Sequence, residues 1–112
     1  MDIETETRGG ARVIRPQGRV DSNSARELED ALLPCFDTPE PVLVDFTGLS
    51  YISSAGLRVL LLAARRSKAT GVPLGLSGMS EPVAEVFTIS GFAKLFRIWP
   101  DAEAALAELS AG

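Results

Sequence analysis

The stretch from Val42 to Leu62, VLVDFTGLSYISSAGLRVLLL, decides the fold. Its opening Val42-Leu43-Val44-Asp45-Phe46 is β-branched and apolar at neighbouring positions, as in a strand covered on both faces. Thr47 and Gly48 suit a turn, and beyond Ser53 the apolar period changes. Leu57, Leu60, Leu61 and Ala64 then recur at i, i+3, i+4 and i+7, one face of a helix that ends at Gly71. A buried strand handing over to a helix in mid-chain implies a βαβ unit and a parallel sheet.

Upstream of it, segments 2–7 and 11–15 flank Gly9-Gly10 and read as a hairpin. Pro16 and Gly18 end the second strand. Ser24 followed by Glu27 has the spacing of a capping box, and Leu28, Ala31, Leu32 and Cys35 predict a helix over 24–36, with a proline-rich loop over 37–41. Downstream, 72–76 is a short strand, Ser80-Glu81-Pro82 opens a helix that Gly91 closes, and 95–99 is a last strand. Asp101 caps a final helix carrying Ala104, Ala105, Leu106 and Leu109. The expected order is ββαβαβαβα, an α/β fold in one domain over residues 1–112 whose sheet is parallel apart from its opening hairpin. Tyr51, Phe87, Phe92, Phe96, Trp99 and Cys35 are expected in or near its core.

Composition narrows the function classes. The 112 residues are 46% hydrophobic and 23% charged with a formal charge of −4, ordinary values for one globular domain. Histidine is absent and Cys35 is the only cysteine, which removes most metal and haem ligand sets and every histidine-based triad. No metal or other cofactor is expected. The opening Met-Asp-Ile-Glu-Thr-Glu lacks the basic and apolar parts of a signal peptide. The longest apolar run, Val59 to Ala64, falls far short of the roughly 20 residues that span a bilayer. A cytoplasmic protein with no membrane association is therefore expected. Its basic residues are scattered rather than gathered on one face, which argues against nucleic acid. Arg65, Arg66 and Lys68 are the one local cluster and suit a helix C-terminus.

Ser53 and Ser54 stand where the leucine-rich helix begins, beside unpaired amides and the positive end of the helix dipole. Ser54 has three readings. As a helix cap it needs only an amide two or three residues on. As a hydrolytic nucleophile it lacks a histidine base and a G-x-S-x-G elbow. As a phosphoacceptor it needs exposure and a slim backbone, which Ala55 and Gly56 supply, and the product phosphate suits a helix start. Arg58 lies off the Leu57/Leu60/Leu61 face and is a candidate surface contact. Leu62 also points away from that face and suits a docking surface. Asp45 is read as a strand-end residue bonding turn amides. Nucleotide hydrolysis is disfavoured: there is no G-x-x-x-x-G-K-[ST], and no basic residue lies between Arg26 and Arg58.

Residues 45–57, DFTGLSYISSAGL, closely resemble the signature of STAS domains of the bacterial anti-sigma-factor antagonist group. Gly18-Arg19-Val20-Asp21 resembles the family's turn before its first helix, and Ser90-Gly91-Phe92 with Leu95-Phe96 resembles its S-G-L/F-x-x-(L/I)-F segment. The resemblance implies a mixed, mostly parallel sheet with helices packed mainly on one face, and binding rather than catalysis. It implies capture of an anti-sigma factor, often a serine kinase of the GHKL type, which frees a sigma factor. Phosphorylation would reverse the capture and a PP2C-type phosphatase would restore it. By position the acceptor is Ser54, Asp21 matches a loop aspartate near the acceptor, and Ser53 stands where many members have aspartate. The expected partner surface is Asp21, Ser53, Ala55, Gly56, Arg58 and Leu62. The departure at Ser53 leaves open a second expectation, a STAS scaffold or accessory subunit that is not phosphorylated, beside a transporter or in a stress complex.

Overall fold

The structure, a computed structural model, describes residues 1–110. Strands β1 (Ile3–Arg8) and β2 (Ala11–Pro16) form the expected hairpin, paired antiparallel from Ile3 with Pro16 to Arg8 with Ala11. Its two-residue turn needs positive φ at both positions, and Gly9 and Gly10 supply 59° and 80°. The other pairings in this sheet, β2 with β4 (Val42–Asp45), β4 with β6 (Leu74–Ser77) and β6 with β7 (Arg97–Trp99), are all parallel, in the order β1-β2-β4-β6-β7.

β4 is buried throughout, which explains its unbroken apolar run. Val42 and Val44 point into the larger core, with Leu28, Leu32, Leu57, Leu60 and Phe87 from helices α1 (Ala25–Leu32), α2 (Ser54–Thr70) and α3 (Glu81–Ser90). Leu43 points the other way, joining Ala11 and Val13 beneath Ala105, Leu106 and Leu109 of α4 (Ala102–Leu109). Three helices therefore cover one face and one covers the other, in keeping with helices mainly on one side.

The order differs from expectation by two strands. β3 (Gly18–Val20) and β5 (Leu49–Ile52) pair parallel in a separate two-stranded sheet, so the chain runs βββαββαβαβα. Gly18, at φ 87°, turns the chain out of β2 into this second sheet. Neither strand is long enough to show an alternation, and the pairing carries a register shift at Gly18 and Arg19.

Local corrections have physical causes. The helix expected over 24–36 is α-helical only to Leu32 and continues as a 3₁₀ turn, Leu33–Asp37, because Pro34 cannot join an α-helical ladder. The Ser24–Glu27 capping box does not form: the Ser24 hydroxyl accepts from the Asp21 amide and donates to the Arg19 carbonyl, while Glu27 pairs with the terminal amine at 2.7 Å. The strand expected over 95–99 starts at Arg97, since Phe92–Leu95 is a second 3₁₀ turn. In α2, Leu57 and Leu60 are buried as expected, but Leu61 and Ala64 are only half-buried and Val59 and Ala63 are buried instead, because the helix also packs against α1. Cys35 and Phe87 are core residues, and Phe92, Phe96 and Trp99 are half-buried. Tyr51 is not in the core. It is 38% exposed on the outer face of the small sheet, with the Arg19 guanidinium 4.2 Å above its ring.

Candidate functional site

The site is built where β5 turns into α2. Val20 pairs with Ile52, and the Ser53 amide donates to the Val20 carbonyl at 2.8 Å, so the loop after β3 lies against the start of α2. Ser53 has extended backbone, φ −91° and ψ 175°, and its hydroxyl accepts from the Gly56 amide at 3.3 Å. Ser53 is the helix cap, which settles the cap reading of Ser54 against it.

Ser54 is therefore the first residue of α2, exposed, and its hydroxyl makes no hydrogen bond among the described residues. Gly56 is buried, contrary to its expected place on the partner surface. A Cβ there would stand 2.7 Å from Ile52 Cγ1 and 2.8 Å from Val20 Cγ1. Only glycine lets the first turn of α2 lie this close to the small sheet, so Gly56 sets the height of Ser54 rather than offering a surface itself.

Asp21 follows directly on Val20, half-buried. Its Oδ1 accepts from the amides of Asn23 at 2.9 Å and Ser24 at 3.1 Å, a local turn that leaves Oδ2 without a partner among the described residues. The Asn23 amide above all, against some desolvation and with help from Ser24 and Arg19, holds this carboxyl below its ordinary value. It therefore carries a negative charge in the loop after β3, directly following Val20, whose carbonyl accepts from the Ser53 amide.

Ala55, Arg58 and Leu62 come together with Val59 on one side of a groove of about 330 Å³, and Ala25, Arg26 and Glu29 of α1 form the other. Arg26 is tied to Asp30 at 3.2 Å, whereas Arg58 is exposed and makes no ion pair or side-chain hydrogen bond among the described residues. Ser54 adjoins this groove through Ala55. The sequence reading did not include Arg26 and Glu29, although both lie off the Leu28/Leu32 face of α1. It also missed the Arg19–Tyr51 pair, which no periodicity could reveal because it depends on β3 pairing with β5.

Asp45 stands apart as a structural residue. Burial pushes its carboxyl up, but the Thr47 hydroxyl, the Thr47 amide at 3.0 Å and the Arg15 guanidinium at 3.0 Å outweigh this and hold it below the ordinary value. Among the described residues there is no cluster of three or more His, Cys, Asp or Glu placed to hold a metal ion, and no helix is long and apolar enough to cross a membrane.

The family model of the STAS domain matches residues 2–105. The chain belongs to that family. It is 44% identical over 108 residues to BtrV of Bordetella bronchiseptica, a candidate anti-sigma factor antagonist, covering 96% of this chain and 93% of BtrV. The crystal structure of an anti-sigma factor antagonist from Mycobacterium paratuberculosis superposes with a TM-score of 0.88 at 20% identity, covering 96% of this chain and 92% of that one. The antagonist SpoIIAA in its unphosphorylated form gives a TM-score of 0.75 at 21% identity, with 93% of both chains covered. The phosphorylated form, from Bacillus, gives 0.69 at 20% identity, covering 93% of this chain and 96% of that one.

Proposed function

We propose that this chain is an anti-sigma-factor antagonist, a binding module rather than an enzyme, whose grip on an anti-sigma factor is switched by phosphorylation of Ser54. The observation that carries the reading is the exposed hydroxyl of Ser54 at the first residue of α2, without a hydrogen bond among the described residues and one residue from the groove between α1 and α2. The unphosphorylated chain binds the anti-sigma factor with Asp21, Ala55, Arg58 and Leu62, and so releases a sigma factor to transcription. Ser53 supports that surface as the cap of α2. The partner is a serine kinase of the GHKL type, a PP2C-type phosphatase resets the switch, and the cycle runs in the cytoplasm.

The physics suits a switch. A phosphoryl group adds a charge of about −1.5 to −2 in the middle of the surface. That charge must be desolvated if a partner is to stay docked, and any partner carboxylate facing it is repelled. Driving a population from 1:99 to 99:1 takes an affinity ratio of about 10⁴, or roughly 5.5 kcal/mol, which the loss of one well-packed interface supplies. The 44% identity to BtrV and the SpoIIAA structures in two phosphorylation states support the reading.

The test is binding of the co-occurring anti-sigma factor by Ser54→Ala and Ser54→Asp, with mass spectrometry of the peptide spanning residue 54 after incubation with kinase and ATP. Ser54→Ala retains tight binding and Ser54→Asp loses it. Equal, tight binding by both variants rejects the switch.

A further inference from the structure

Arg58 sits one helical turn beyond Ser54 on α2, and the pair is spaced i, i+4. Residues at that spacing are neighbours on a helix surface, about 5–6 Å apart at Cβ. Side chains on an α-helix lean toward its N-terminus, so the turn that begins with Ser54 is within the reach of a side chain as long as that of Arg58. The order is the favourable one, anion toward the N-terminus and cation following. Arg58 is exposed and holds no carboxylate among the described residues, in contrast to Arg15 and Arg26, which are engaged by acidic side chains.

The geometry points to Arg58 as an internal clamp for the phosphoryl group on Ser54. The inference rests on Ser54 being the phosphoacceptor, and it concerns what the modified form does. In the bare protein the guanidinium lies open on the groove that it lines with Ala55, Val59 and Leu62. Once Ser54 is phosphorylated, the same guanidinium folds back onto the new dianion in a charge-assisted, two-pronged contact. One modification then changes the docking surface twice, adding an anion and withdrawing the Arg58 cation from any partner carboxylate. Arg26, across the groove, is held by Asp30 and is the weaker competitor for the phosphate.

Charged groups on the elements packed against the start of α2 also bear on such a phosphate. Glu29 lines the groove from α1, and Asp21 follows the strand residue that pairs beside Ser53. Both carboxylates raise the second ionisation of a nearby phosphate, whereas Arg58 lowers it. Phosphoserine is installed at position 54 by genetic-code expansion, which needs no kinase, and its second ionisation, ordinarily near pH 6, is followed by phosphorus NMR. Arg58→Gln raises that pKa by about 0.3 unit, about twofold in the dissociation constant. Arg58→Lys raises it less, and Arg66→Gln, further along α2, leaves it in place. The clamp is overturned if Arg58→Gln titrates with the unaltered phosphoprotein. If the anti-sigma kinase leaves Ser54 unmodified, the switch fails while the titration still reports on the clamp.

Discussion

Gly56→Ala examines the packing that holds the site in place. The added methyl would stand 2.7 Å from Ile52 Cγ1 and 2.8 Å from Val20 Cγ1, well inside the ~3.5 Å of an ordinary carbon contact. Both neighbours are branched at Cβ, 1% and 0% exposed, and belong to paired residues of β5 and β3, so neither can turn aside without displacing another core group. Overpacking of this kind costs about 1–3 kcal/mol. Replacing glycine by alanine in a helix returns at most about 1 kcal/mol, and less in the first turn. Gly56 does not use the left-handed backbone region, so strain in φ adds nothing. The net loss is about 1–2 kcal/mol, and with a urea m-value of about 1–3 kcal/mol/M it lowers the denaturation midpoint by about 0.3–2 M. Ile52→Ala removes the nearer clash, so in that background the penalty shrinks by about 1 kcal/mol, a coupling that a double-mutant cycle measures. An unchanged or raised midpoint for Gly56→Ala, or strict additivity with Ile52→Ala, would refute the claim that glycine is there to seat α2 on the small sheet.

Ser53→Ala removes the acceptor for the Gly56 amide and lowers stability by about 0.5–1 kcal/mol in a thermal melt, the low end for a cap because the bond is 3.3 Å long, whereas Ser53→Asp keeps the cap and stays within a few tenths of the parent; equal melts for all three would remove Ser53 from that role. Asp45 has its carboxyl held below the ordinary value of 3.8, so it is a group whose folded pKa is depressed: its stabilising contribution is complete above that value and is lost as pH falls through the folded pKa. Asp45→Asn is accordingly less stable than the parent at pH 7, and the gap in urea midpoint narrows as the pH drops below about 4; a gap independent of pH would show that the charge on Asp45 does not stabilise the fold.

Much of the fold is written in local chemistry. The hairpin is legible because two adjacent glycines leave few alternatives to a tight turn with positive φ, and both adopt it. β4 is legible because a strand buried on both faces has no polar side to interrupt its apolar run. Asp101 caps α4 through the Ala104 amide at 2.8 Å, and Gly71 and Gly91 end α2 and α3 in the left-handed conformation, as residues of those types commonly do. The position of Ser54 at a helix start is legible for the same reason, since the change from strand to helical period brackets it within a residue or two.

Other features depend on partners distant in sequence. Which serine caps α2 is decided by the backbone of Ser53, set by its hydrogen bond to Val20, a residue 33 positions earlier. The Ser24–Glu27 spacing fits a capping box, yet the Ser24 hydroxyl is taken by Arg19 and Asp21 and the Glu27 carboxylate by the terminal amine. β3 and β5 exist as strands only because they pair with each other, being too short to specify extended structure alone. By itself the sequence determined five of the seven strands, the four helices and the serine at the head of α2, because turn chemistry and apolar period act over a few residues. Only the tertiary structure decided that Gly56 is packing rather than surface, that Tyr51 lies outside beneath Arg19, and that Arg58 lines a groove shared with α1, because each depends on which distant segment comes to lie alongside.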